Sequence, residues 1–164
     1  MSHAEISRGK IADKIHLGAN GIGPTGAKAI GKALEGNGVL TDLNLFNNKI
    51  GPEGGVAIGK ALAINGVLKT LDLYHNNIRA EGATAIAEAL SDNGALTSLI
   101  LQGNNIRNEG AVALASALRV NVVLNELNIS RNQISPTGAA ARAARALTWC
   151  RRISQISEVT NIMK

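Results

Sequence analysis

Two histidines and an aspartate, His16, Asp72 and His75, are residue types that ligate zinc, and Cys150 is the type that acts as a thiolate nucleophile. Neither set has a workable spacing: His16 is remote in sequence from the Asp72 to His75 pair, and no histidine stands near Cys150. No Ser/His/Asp arrangement is present either, so no catalytic residue, metal site or cofactor site is assigned. A third pattern, Gly21-Ile-Gly23-Pro-Thr-Gly26, matches the glycine spacing of a dinucleotide-binding turn. A fourth is electrostatic. Residues 1 to 118 hold 10 Lys/Arg against 10 Asp/Glu, whereas residues 119 to 164 hold 7 against 2 and so supply the whole net charge of +5. Within that end, Arg142, Arg145, Arg151 and Arg152 are the candidates for binding a nucleic acid or another polyanion. The fifth candidate is aromatic: the chain has one Phe and one Tyr, Phe46 and Tyr74, separated by 28 residues.

That interval organises the whole chain. Leu40, Leu43, Leu45, Asn48 and Ile50 recur 28 residues later as Leu68, Leu71, Leu73, Asn76 and Ile78. The next steps give Leu96, Leu99, Leu101, Asn104 and Ile106, then Leu124, Leu127, Ile129, Asn132 and Ile134. One step backward gives Ile15, Leu17, Asn20 and Ile22, with Ala12 in the first slot. Self-similarity at such a period is the signature of a repeat architecture.

Within LxxLxLxxNxI, the fourth and sixth positions share one side of an extended segment, because strand side chains alternate. They point inward. The Asn comes where the chain leaves the strand, and its amide can satisfy backbone groups that no ladder reaches. The second half of each unit changes period. Gly54, Ala57, Ile58, Ala61 and Leu62 form a helical stripe, repeated at Gly82, Ala85, Ile86, Ala89, Leu90 and at Gly110, Ala113, Leu114, Ala117, Leu118. The small residues at its edge let neighbouring helices lie close. Pro24, Pro52 and Pro136 share a slot suited to a first helical turn, and Glu53, Glu81 and Glu109 suit the positive end of the helix dipole. The pairs Asn37-Gly38, Asn65-Gly66 and Asn93-Gly94 read as left-handed helix stops.

A lone unit buries too little apolar surface to offset the entropy of ordering it, so units must stack. Parallel strands at about 4.8 Å on one edge and wider helices on the other curve the array into a right-handed α/β horseshoe. The 28-residue unit resembles the ribonuclease-inhibitor-like class of leucine-rich repeats, found also in NOD-like receptors and Ran GTPase-activating proteins. The resemblance covers about residues 6 to 164. It implies an α/β leucine-rich repeat solenoid whose outward residues select a protein partner. It carries over no catalytic residue.

The expected organisation is a single domain over 1–164: a lid or partial repeat at 1–11, five repeats at 12–149 and a degenerate capping repeat at 150–164. A one-residue insertion between Gly138 and Ala141 keeps Arg142 and Arg145 out of the core. It places Ala143, Ala146 and Leu147 inward and lets Trp149 cover the open end. No run is long enough to cross a bilayer, and the single cysteine excludes an internal disulfide framework and favours the cytoplasm.

In this frame the GxGxxG match falls on the repeat's own loop, and a sequential array has no reversal of strand order to form a nucleotide crevice. His16 and the Asp72 to His75 pair lie two repeats apart, about 10 Å at strand spacing. The aromatics fare better. Phe46 and Tyr74 occupy the same outward slot in adjacent repeats, so their rings should sit side by side on the concave face as an exposed patch extended by Ile100. Asp42, Asn44, Asp72, His75, Gln102 and Arg131 supply a polar rim. The sequence therefore predicts a non-catalytic module for a protein partner, a monomer or weak oligomer, with polyanion binding at the arginine-rich end as the alternative.

Overall fold

In the computed structural model the described residues are 13–135, and they form the repeats that the period predicts. Strands β1 (Lys14–His16), β2 (Asp42–Asn44), β3 (Thr70–Asp72), β4 (Ser98–Ile100) and β5 (Glu126–Asn128) build one parallel sheet in sequence order. Helices α1 (Pro24–Glu35), α2 (Gly51–Ile64), α3 (Arg79–Asp92) and α4 (Arg107–Leu118) connect them. The register repeats the sequence period: Ile15, Leu43, Leu71, Leu99 and Leu127 pair across the sheet. The result is an α/β solenoid. The readings made for residues 1–11, Pro136, the Gly138 to Ala141 insertion, Trp149, Cys150 and the 150–164 cap lie outside the described residues.

The core is the aliphatic set read from the repeat. Leu45, Leu71, Leu73, Leu99, Leu101 and Leu127 are fully buried from the strand side, and Ile58, Ile86 and Leu114 from the helix side. One helical slot differs. Ala57, Ala85 and Ala113 are only half-buried, and the position two residues later takes over. There Gly31, Gly59, Ala87 and Ala115 are buried, and the two glycines lie against the backbone of the adjacent helix. A Cβ on Gly59 would lie 2.7 Å from the backbone of Ala85, so α2 and α3 touch through main chain. The first repeat is also looser. Ile15 is 37% exposed because β1 has a paired strand only on its β2 side among the described residues.

The helix stops depart from expectation. Asn65 and Asn93 cap α2 and α3 with extended backbone, at φ −75° and −71°, and the glycines after them are not left-handed. The side chain closes the turn instead. Asn65 Oδ1 accepts from the amides of Val67 and Leu68 at 3.0 and 2.8 Å. Its Nδ2 donates to the carbonyls of Leu34 and Asn37 in the preceding repeat at 2.8 and 3.1 Å. Asn93 and Asn121 repeat the pattern one and two units on. Glycine is not required there: Val122 occupies the same slot after Asn121.

Replacing Asn65 by Ala should therefore cost about 3 kcal/mol, because buried carbonyls and amides lose their partners together. Replacing Gly66 by Ala should change stability by less than about 0.5 kcal/mol, since a Cβ there meets nothing within 4 Å. Urea denaturation of the two variants checks this, and a Gly66→Ala loss exceeding that of Asn65→Ala would restore the left-handed stop.

Candidate protein-binding site

The outward face of the sheet is set by the turn at the end of each strand. Asn44 and Asp72 end β2 and β3, and each turns its Oδ1 back to accept from the backbone N–H two residues on. The bonds are 2.9 Å to Phe46 N and 2.9 Å to Tyr74 N. Asn128 does the same for Ser130 at 3.0 Å. These short-range bonds fix the backbone from which the two aromatic rings project. Asn44 Nδ2 also donates to Asp72 Oδ2 at 3.1 Å, tying the neighbouring turns together. Asn44 and Asp72, read from sequence as part of a polar rim, thus also make the bonds that hold the backbone of the aromatics.

Phe46 and Tyr74 are brought together as the sequence predicts. Their ring centroids are 5.6 Å apart and the planes differ by 5°. They are not fully exposed, however: both are half-buried, as is Ile100. The reason lies in the same slot of the first repeat, where Gly18 leaves space for the Phe46 ring. A Cβ on Gly18 would lie 2.8 Å from Phe46 Cδ1. On the other side Gly103 lies against Tyr74, with a Cβ there 3.4 Å from the ring and from His75 Nδ1. His75 is exposed, and its ring centroid is 5.6 Å from that of Tyr74. Neither Phe46 nor Tyr74 belongs to the buried core.

The remaining rim residues separate by environment. Gln102 is half-buried and its Oε1 accepts from Asn128 Nδ2 at 3.3 Å. Asp42 sits on the sheet face at the β1 side, where Thr41 Oγ1 donates to its carboxylate at 2.7 Å and Lys14 Nζ lies 3.7 Å away. The Thr41 hydroxyl, with a smaller contribution from Lys14, holds the Asp42 carboxyl below its usual range despite partial desolvation. Asp42 therefore stabilises the fold at neutral pH, and that contribution is lost as pH falls through its lowered pKa.

Behind this face runs a second line of asparagines. Asn104 Oδ1 accepts from Asn76 N at 3.0 Å and Ile78 N at 3.2 Å, and its Nδ2 donates to the carbonyls of Leu73 and Leu101 at 2.8 and 3.0 Å. Asn132 makes the equivalent bonds to the amides of Asn104 and Ile106 and to Leu101 and Ile129 carbonyls. The loop beyond bends through left-handed residues, among them His75, Asn77 and Arg79 at φ 56°, 55° and 59°. That bend delivers Arg79 N to Asn104 O at 2.9 Å and Arg107 N to Asn132 O at 2.9 Å.

Outside the loops lie two open grooves of about 450 and 470 Å³, lined in part by Asn77, Arg79, Asn105 and Arg107 and by Lys49, His75 and Gly103. Sequence reading missed them. The recurrence of Asn77, Asn105 and Gln133 at one period was the available signal, since these side chains hydrogen-bond in series at 3.1 and 2.8 Å.

The dinucleotide-like glycines are accounted for by the same loop. Gly21 occupies the left-handed slot at φ 66° that Asn77 and Asn105 also fill, while Gly26 packs on Ile22. Among the described residues no group of three or more His, Cys, Asp or Glu is placed to hold a metal ion. The polyanion candidates Arg142, Arg145, Arg151 and Arg152 lie outside the described residues. No described helix is long and apolar enough to cross a membrane.

A family model described as leucine rich repeat matches the chain in five segments, residues 14–31, 36–59, 65–87, 92–115 and 120–141, which together exceed half its length. The chain belongs to the leucine-rich repeat family. Among solved structures, this leucine-rich repeat array is similar to leiomodin-1 actin-binding site 2, with a TM-score of 0.67 and 21% identity. That match covers 92% of this chain and 80% of the other. At such identity it establishes a shared fold. No curated protein sequence matches.

Two outcomes test the site geometry. Phe46→Ala or Tyr74→Ala should lower stability by only about 1 kcal/mol, against about 3 kcal/mol for Leu71→Ala, because the rings lie outside the core. A loss at Phe46 equal to that at Leu71, measured by urea denaturation, would make the stack a core element. Thr41→Val should raise the Asp42 pKa in a carbon-detected NMR titration, and an unchanged value would remove the hydroxyl as its main cause.

Proposed function

We propose that this leucine-rich repeat chain is a non-catalytic protein-binding module that receives its partner on the concave sheet face and the adjacent strand-to-helix loops. The 28-residue unit with its LxxLxLxxNxI core supports a ribonuclease-inhibitor-like repeat type, and the single cysteine fits a cytoplasmic setting.

One observation carries the reading. The chain's one Phe and one Tyr are spent outside the core, stacked on each other at 5.6 Å in an outward slot that other repeats fill with Gly18, Gln102 and Ser130. A fold that needed these rings for stability would bury them among Leu71 and Leu73. Rigid, preorganised aromatics on a polar face are instead the residues that dominate protein contacts. The similar solved structure is named for binding actin, which fits a protein-interaction role for an array of this shape.

The decisive comparison is affinity capture from source lysate with wild type and the Phe46→Ala/Tyr74→Ala variant, both first shown to be folded by circular dichroism. A partner retained by wild type and lost by the variant is the expected result. Identical capture profiles would contradict it.

A further inference from the structure

The sheet face has a charge opposite to that of the chain as a whole. Its outward strand positions are Lys14 and His16, Asp42 and Asn44, Thr70 and Asp72, Ser98 and Ile100, Glu126 and Asn128. Three carboxylates stand there against one ammonium, in a chain whose net charge is +5. Lys14 lies beside Asp42 at 3.7 Å. Asp72 has no cation within 4 Å among the described residues: its oxygens take only the neutral donors Tyr74 N and Asn44 Nδ2. Glu126 is similar, accepting from Ser98 Oγ at 2.7 Å.

Asp72 is also the carboxylate beside the aromatics. It precedes Tyr74 by two residues and is the register partner of Ile100 on β4. The same neighbourhood thus offers a carboxylate without a cationic partner, an aromatic stack and an aliphatic side chain. Gly103 adds no side chain beside Tyr74, where a Cβ would lie 3.4 Å from the ring, and the His75 ring stands 5.6 Å from that of Tyr74. An arginine side chain satisfies all three at once: its planar guanidinium pairs with a carboxylate and stacks on aromatics, and its methylene stem packs on apolar surface. Lysine meets the charge but not the planar stacking.

We propose that Asp72, Tyr74, Phe46 and Ile100 form a seat for an arginine side chain on an extended basic segment of the partner protein. This rests on the protein-binding role proposed for the same face and adds the chemistry of the occupant. Because the wall is acidic only locally, a partner segment of net positive charge is drawn to this face, and an acidic segment is repelled from it.

The test uses the full chain and a capped hexapeptide of alternating arginine and alanine, with hexapeptides carrying citrulline or glutamate in place of arginine as comparators. With one Phe and one Tyr in the chain, the ring protons of Phe46 and Tyr74 report on the seat directly by NMR. The arginine peptide should shift both sets of ring resonances saturably, and the glutamate peptide should not. Asp72→Asn should weaken the response about tenfold or more, and citrulline should match that loss, as expected when a partly desolvated charge pair is removed. This variant keeps the Oδ1 bond to Tyr74 N, as Asn44 and Asn128 show in the equivalent slot, and loses the Oδ2 acceptor of Asn44 Nδ2; the citrulline peptide, which leaves the protein unchanged, separates that loss from the loss of charge.

Ring resonances that ignore the arginine peptide, or a response that Asp72→Asn leaves intact, would overturn the seat. The two levels fail separately. A partner lost by the Phe46/Tyr74 double variant together with a silent arginine peptide refutes the arginine seat alone, whereas unchanged lysate capture refutes the docking reading itself.

Discussion

Every repeat in this chain depends on polar groups that it cannot satisfy alone. A strand of three residues running into a sharp bend leaves amides and carbonyls inside the turn, and each one buried unpaired would cost about 1–3 kcal/mol. The asparagine side chains solve this across repeat boundaries. Asn48 Oδ1 takes the amides of Asn20 and Ile22, Asn104 takes those of Asn76 and Ile78, and Asn132 takes those of Asn104 and Ile106. Among the described residues no buried side-chain polar atom is left without a partner. A second asparagine line, Asn37, Asn65, Asn93 and Asn121, performs the matching task where helices return to strands. The solenoid is held at both corners by amides, with the aliphatic core between them.

This division of labour leaves the sheet's outer face available. With the turns closed by Asn44, Asp72 and Asn128 and the interior filled by Leu71, Leu73 and their repeats, the next outward slot admits side chains of very different size and polarity, subject to its neighbours: Gly18 makes room for Phe46, and Ser130 bonds to Asn128. Glycine, Phe, Tyr, Gln and Ser all occupy it in successive repeats. The left-handed loop residues show the opposite case: Arg79 and Arg107 adopt backbone angles that disfavour them because the N–H must reach the asparagine of the next repeat.

The fold was legible in the sequence because one period fixes everything at once. Leucine spacing named the strands, the change of period named the helices, and the constant step of 28 dictated the parallel register. What the sequence obscured were features set between repeats. The Asn-Gly pairs imitate a left-handed cap, but the asparagine is held for its side-chain bonds to the preceding repeat. Ala57 and Ala85 lie at the edge of the helical stripe, and the close approach of neighbouring helices, as at Gly59 against Ala85, puts the buried position at Gly59 and Ala87 instead. For the site, the slot of Phe46 and Tyr74 was readable, while their half-burial depended on Gly18 and Gly103 in flanking repeats. The roles of Asn44 and Asp72 in holding the rings were hidden for the same reason, since both residue types also suit an open rim.

The most direct check on the joining of repeats through asparagine is native-state amide hydrogen exchange across the whole array. The amides of Asn76, Ile78, Asn104 and Ile106 are each accepted by an asparagine side chain of the next repeat. They should exchange as slowly as the amide of Leu73, which donates to Ile100 O at 2.9 Å just beyond β3, and only through cooperative opening. Loop amides at those four positions exchanging near unstructured rates, while Leu73 stays protected, would mean that the repeats are not joined through their asparagines.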